Sequence, residues 1–400
     1  MTPSGTIDRV ITDTIEKHEQ ELRTISLKIH NNPELGNKEE KASELLCNYL
    51  EVNGFKVTRG VVGLSTAFIA EFSNGKEGRK VGFCSEYDAL PGVGHACGHN
   101  LIAIAGVACA LAFKNLLEQN LIKGSVYLFG TPAEETTSGK IQFVKKGKID
   151  EMINFSMMLH PGPWDSVFTS FLALDSAKVE FFGRQSHAGM APWEGVNALD
   201  ALMQSFDNIG LLRQQTLPSN RIHGIITDGG KSANVIPGYA SGEFYIRSLT
   251  RQQLNELKIK FEHCFEAAAK ATGCTHKVTW APWGQIDDVF QNDVLGESFK
   301  SYMSDKGVSY LDRTDEQLIV GGSTDFGNIS YVVPGLHPSF SIGTTAANHT
   351  VEFAKAAATE EAHKNVLRAA ICLAKTASDV FIDDVMFEKM VTNFKKGKLQ

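Results

Sequence analysis

Cys97 and His99 stand two residues apart in the glycine-flanked loop GHACGHN, 94–100. A thiolate and an imidazole are both zinc-competent, and glycine lets a backbone turn tightly around an ion. Alone, a Cys-x-His pair reads equally as a small buried thiol beside a helix-capping histidine. GTPAEE, 130–135, adds adjacent carboxylates at Glu134 and Glu135 just past an apolar run. Side chains at successive positions point differently, so one carboxylate can hold a metal while the other activates water. A solvated acidic loop is the plainer alternative. His160 ends the apolar run MMLHP, 157–161, and His349 follows PSFSIGTT in NHTVEF, 348–353. A histidine at a strand end is usually a satisfied core residue; here several metal-competent groups recur at equivalent places.

Together Cys97, His99, Glu135, His160 and His349 are five candidate ligands. Five exceed one tetrahedral zinc and imply two ions, about 3.5–4 Å apart. Glu134 is then left as general base. Asp88, directly after KVGFCSEY, 80–87, is placed to orient a ligating imidazole.

These groups need a scaffold that delivers them to one edge. KVGFCSEY, SVYLFGT and NFSMMLH read as strands separated by apolar or amphipathic helices over 101–118 and 138–148, with Asn100 as a candidate N-cap. This βαβαβ order predicts a mainly parallel central sheet flanked by helices. Ligands bind such sheets beyond the carboxyl ends of the strands. Upstream, the periodicity of Ala42, Leu45, Leu46, Tyr49 and Leu50 predicts a helix stopped by Gly54. The texture changes over 173–285: strand, helix from about 194 to 213, two strands, a helix over 251–271 between Thr250 and Gly273, and a final strand. That is a ferredoxin-like α+β order. The expected chain is thus α/β, with catalytic segments 1–172 and 286–400 and an inserted lid or dimerisation domain at 173–285.

With 400 residues, two domains are expected. Net charge is −7, from 39 basic and 46 acidic residues, which argues against nucleic-acid binding. LIAIAGVACALAF, 101–113, is too short to span a bilayer and reads as a buried helix, so no membrane partner is expected. The N-terminus lacks the pattern of a secretory signal. Seven cysteines without a framework spacing fit a reducing, cytoplasmic setting. GIITDGGKS, 224–232, has Ile225 where a phosphate-binding loop needs glycine, and neither G-x-S-x-G nor H-E-x-x-H occurs.

SEYDALPGVGHACGHN, GTPAEE, MMLHP, SHAGMAPWEGVNALDA, GGKSANVIP and NHTVEF occur in an order and spacing that resemble the aminoacylase and carboxypeptidase G family of dinuclear metallopeptidases. Within it the chain is similar to the amidohydrolase branch that includes auxin-conjugate hydrolases. Glu86 and Asn100 match the subgroup holding the aminobenzoyl-glutamate hydrolase B subunit and the β-alanyl-lysine dipeptidase. The resemblance covers about 30–390. It implies metal ligation by Cys97, His99, Glu135, His160 and His349, with zinc, manganese or cobalt as the two divalent ions. Cys97 stands where relatives outside the branch use a bridging aspartate. Glu134 matches the general acid/base. His187 matches a histidine that reaches a partner subunit's active site and stabilises the oxyanion. Asn234 and Arg247 match groups that hold substrate near its carboxylate. The resemblance implies a homodimer through the inserted domain and hydrolysis of N-acyl amino acids or dipeptides with a free carboxylate. A broader peptidase acting on longer peptides, a non-catalytic scaffold with the same fold, and a mononuclear protein with structural zinc are the alternatives. Five retained ligands and a base weigh against the scaffold.

Overall fold

The computed structural model describes residues 3–397. After helices Pro3–Lys17, Glu19–Asn31 and Glu40–Val52, the chain forms strands β1 (Lys56–Arg59), β2 (Phe68–Ser73), β3 (Arg79–Ser85), β4 (Gly124–Gly130), β5 (Phe155–Met157) and β6 (His160–Gly162). There follow β7 (Ala173–Phe182), β8 (Ser186–His187), β9 (Arg221–Asp228), β10 (Val235–Ile236), β11 (Tyr239–Ser248) and β12 (Thr275–Trp280). The last strands are β13 (Gly335–Leu336) and β14 (Ser339–Ser341). Residues 171–288 with 321–323 form one compact unit; the rest of the described chain forms the other.

The larger unit is built on a mixed sheet of order β1-β2-β4-β3-β5-β13. β3, β4, β5 and β13 run parallel, while β2 joins β4 and β1 antiparallel. The helix His99–Glu118 carries the apolar run 101–113, every residue of which is buried. It is long and apolar enough to cross a membrane, yet its apolar surface is taken up by the protein core. Gly106 lets it approach β3: a Cβ there would meet Ser85 Oγ at 2.3 Å and the Cys84 carbonyl at 2.9 Å.

Two local expectations are corrected. The N-cap of this helix is Gly98, in left-handed geometry (φ +76°), so the helix begins at His99 rather than after Asn100. Asn100 is buried inside the first turn and donates to Ser26 Oγ at 2.9 Å and to the Ala357 carbonyl at 3.0 Å. The expected strand 154–160 is split. β5 pairs with β13, and from His160 the chain pairs with β14 as β6. Pro338, between the two partners, has no N–H to continue the ladder; its carbonyl accepts from His160 N–H at 3.0 Å.

The smaller unit has a four-stranded antiparallel sheet of order β12-β7-β11-β9. On β7, Ala173, Asp175, Ala177, Val179 and Phe181 alternate inward. Helices Ala198–Leu212 and Arg251–Thr272 share a core with them through Ala201, Leu202, Phe261 and Phe265. Asn197 caps the first by accepting from Leu199 and Asp200 N–H groups, and Thr250 caps the second by accepting from Gln253 N–H. This is the ferredoxin-like arrangement. It carries an addition with no sequence signal, a two-stranded antiparallel ribbon of β8 and β10.

Candidate metal centre

The parallel strands end at one edge, and the chain just beyond them carries the chemistry. Past β3 come Glu86 and Asp88, past β4 Glu134 and Glu135, past β5 His160, and past β13 His337. Cys97 sits in the loop before the helix that His99 opens. Gly98 between them is required: a Cβ would lie 2.5 Å from Pro161 Cγ, and its φ is positive.

The donor atoms converge as overlapping triads. Cys97, His99 and His160 form one, Cys97, Glu135 and His349 a second, and His99, Glu134 and Glu135 a third; in each, the atoms lie within 4.8 Å of one another. Cys97 Sγ belongs to both of the first two. It lies 3.5 Å from His160 Nε2. His349 Nε2 lies 3.2 Å from Glu135 Oε1.

His99 and His160 are each oriented from behind. His99 Nδ1 donates to Asp88 Oδ1 at 2.9 Å, which aims Nε2 at the cluster. Asp88 Oδ2 accepts from the Glu135 backbone N–H at 3.0 Å. His160 Nδ1 donates to the Pro161 carbonyl at 2.9 Å, freeing Nε2. That carbonyl also accepts from Asn348 Nδ2 at 3.1 Å. Ala133, next to the acid pair, and His349 both have left-handed backbones, at φ +61° and +69°. For residues with a Cβ this is strained, and such strain clusters at functional sites.

Burial and the Glu135 carboxylate push the Cys97 thiol up. Burial, then repulsion from Glu135, Glu86 and Asp325, raises the Glu134 carboxyl well above its usual range. Burial lowers His160 to about 4, leaving the neutral imidazole that ligates metal. For Glu135, burial opposes ionisation but hydrogen bonding to His349 and the charge of His99 outweigh it and lower the pKa. His99 Nε2 is buried without a hydrogen-bond partner, and Glu135 Oε1, also buried, has His349 Nε2 beside it at 3.2 Å. A buried polar atom without a partner is costly unless something binds it. Soft sulfur, imidazoles and carboxylates together suit a pair of divalent transition ions.

The other sequence-derived residues, His187, Asn234 and Arg247, lie in the smaller unit. His187 and Asn234 are brought together by the β8–β10 ribbon, where Val235 pairs with His187 and the Asn234 carbonyl accepts from Ala188 N–H at 2.9 Å. Arg247 lies on β11, half-buried, and donates to Ser323 Oγ at 3.1 Å. Among residues the sequence did not single out as site members, Glu86 lies 3.3 Å from His99 Nε2. Lys140 is wholly buried between Glu86 and Asp325. Glu39 accepts from Ala133 N–H at 2.8 Å and from Thr66 Oγ1 at 3.0 Å. Glu86's place, two residues before Asp88 on one extended segment, was the available signal; nothing local marks the other three.

Residues 173–273 match the family model for a peptidase dimerisation domain. The chain is 38% identical over 401 residues to a Xaa-Arg dipeptidase of Mus musculus, covering 97% of this chain and 92% of that protein. The chain belongs to the M20 peptidase family. This M20 chain is also 28% identical to the B subunit of the p-aminobenzoyl-glutamate hydrolase of Escherichia coli (96% and 94% covered). A dinuclear metal binding peptidase of the M20 family from Bacillus subtilis has the same fold, with a TM-score of 0.69 at 19% identity over 92% of this chain and 99% of that one. The M20 chain is accordingly a metal-dependent hydrolase of peptide or amide bonds, in a family of dinuclear metal-binding peptidases.

Proposed function

We propose that this M20 hydrolase is a dipeptidase or N-acyl amino acid hydrolase whose substrate carries a free carboxylate. The overlapping triads that share Cys97 carry the reading. Cys97, His99 and His160 would hold one ion, and Cys97, Glu135 and His349 the other, zinc or manganese being best suited and cobalt a workable substitute. When bound, such a pair supplies Lewis acidity, polarising the scissile carbonyl and lowering the pKa of a water.

Glu134 takes a proton from the attacking water and passes it to the departing nitrogen. Its place in the third triad, beside Glu135 and His99, suits an acid/base shuttle. Asp88 keeps His99 in the tautomer and direction needed. In the smaller unit, His187 Nδ1 accepts from the Gly189 and Met190 N–H groups at 3.2 and 3.1 Å, which leaves the proton of the neutral ring on Nε2. That Nε2–H would stabilise the oxyanion in the partner subunit's reaction. Arg247 offers a bidentate fork to the substrate carboxylate, assisted by Asn234.

Dimerisation through the smaller unit is supported by the exposed edge strand β9, with Ile225 62% exposed, and by Met203 and Leu211 exposed on the neighbouring helix. The seven cysteines are buried free thiols, which supports a reducing compartment, the cytoplasm. The similarity to a Xaa-Arg dipeptidase favours dipeptides with a basic C-terminal residue as first substrates. The test is a panel of dipeptides ending in Arg, Lys or Gly, with N-acyl amino acids and longer peptides, on metal-loaded and chelator-stripped protein. Hydrolysis confined to small substrates with a free carboxylate, and lost on stripping, is expected. Equal cleavage of longer peptides would move the reading to a broader peptidase.

A further inference from the structure

Glu86 is wholly buried, yet its two carboxylate oxygens live differently. Oε1 accepts from the Lys140 ammonium. Oε2 has no hydrogen-bond partner and lies 3.3 Å from His99 Nε2. Lys140, also wholly buried, donates through Nζ to Asp325 Oδ1 at 2.6 Å and through its backbone N–H to Asp325 Oδ2 at 2.8 Å. Asp325 is thus held by Lys140 at both oxygens, while Glu86 is finished on one side only.

One lysine serves two carboxyl groups in this buried trio, and the oxygen left over, Glu86 Oε2, faces His99 Nε2. A buried polar atom left without a partner is unfavourable. The direction of Oε2 is also informative. Asp88 occupies His99 Nδ1, so Nε2 is the ligating nitrogen. Two donors on one tetrahedral ion, each about 2.1 Å from it, stand about 3.4 Å apart. The Glu86 Oε2–His99 Nε2 separation of 3.3 Å has that value.

We propose that Glu86 is a sixth protein ligand, bound through Oε2 to the ion that His99 binds, with Lys140 and Asp325 as positioning residues that lock the carboxylate in place. The proposal rests on the dinuclear reading of the cluster. It gives the buried lysine a purpose: Lys140 fixes one oxygen of Glu86 so that the other is presented without a rotameric choice. The added oxygen donor raises the coordination number at that ion and makes its site harder.

The experiment uses full-length protein stripped by a chelator and reloaded with Co²⁺ against a competing chromophoric chelator, with the visible cobalt spectrum recorded. Wild type is expected to take two ions. Glu86→Gln should weaken one of them by at least about tenfold, as changes around a ligand set do, and alter that ion's visible band. Glu86→Asp, which keeps the charge but retracts the oxygen by one methylene, should do the same and serves if the glutamine variant does not fold. Asp325→Asn, which loosens the lysine that locks the carboxylate but leaves Oε2 present, should shift the same band by less than the Glu86 variants do. Two ions bound with unchanged affinity and spectrum in the Glu86 variants would overturn the proposal. So would an Asp325→Asn spectrum altered as much as theirs, because the effect would then belong to the network. A wild type that takes no ion would overturn the dinuclear reading itself, and this proposal with it.

Discussion

Asp88 grips His99 from behind: Oδ1 accepts from the imidazole Nδ1 at 2.9 Å, and Oδ2 accepts from the backbone N–H of Glu135 at 3.0 Å. One buried carboxylate therefore sets both a candidate ligand ring and the peptide that carries a candidate ligand acid. Asp88→Ala frees both. Metal affinity is expected to fall by about 10–100-fold, as for other outer-shell partners, measured by competition with a chelator. Unchanged affinity would separate Asp88 from the centre.

The sharing of Cys97 between two triads makes an asymmetric prediction. His160→Ala should weaken one ion and His349→Ala the other, each variant retaining one. Cys97→Ser should weaken both, because its sulfur stands within 4.8 Å of the donors of each triad. Metal counting on dialysed protein checks this. A Cys97→Ser protein that holds two ions as tightly as wild type would exclude the bridging arrangement.

Glu39 supplies a pH dependence. Burial, helped by repulsion from Asp88, raises its carboxyl from an ordinary 4.5 to about 7. The folded state thus keeps the proton after the unfolded chain has lost it. Its stabilising contribution is complete below pH 4.5 and lost as pH rises through 7. The shift corresponds to up to about 3 kcal/mol. Glu39→Gln has no such titration. The stability of wild type relative to this variant should therefore decline between pH 4.5 and 8, in urea unfolding of chelator-treated protein. A constant difference would contradict the assignment.

The dimer reading depends on β9. Ile225→Glu places a charge on the exposed edge and should yield a monomer by light scattering. That monomer should bind both ions yet hydrolyse poorly, because His187 would no longer serve a partner. Full activity in a monomer would remove the role of His187 across the dimer.

The residues that converge in the cluster were legible because their signals are local. Cys97 and His99 share one loop, Glu134 and Glu135 follow a strand directly, and His160 ends an apolar run; parallel-strand logic then gathers them at one edge. The helices of the smaller unit were legible through Thr250, Gly273 and the change of periodicity. The support of the centre was not. Lys140 meets Asp325 across 185 positions of sequence, and Glu39 meets Ala133 across 94. Lys140 opens a helix after a polar loop, where a lysine is ordinarily solvated. Asn100 misled for a related reason: Gly98's left-handed backbone starts the helix earlier and turns an apparent cap into a buried donor.

The central claim is that Glu134 moves the proton in a metal-dependent hydrolysis whose metal is held by other residues. Its most direct test is Glu134→Gln, with metal content and dipeptide turnover measured on the same sample. Both ions should remain bound while kcat falls by about 10²–10⁴-fold. Turnover near the wild-type rate with both ions bound would contradict it.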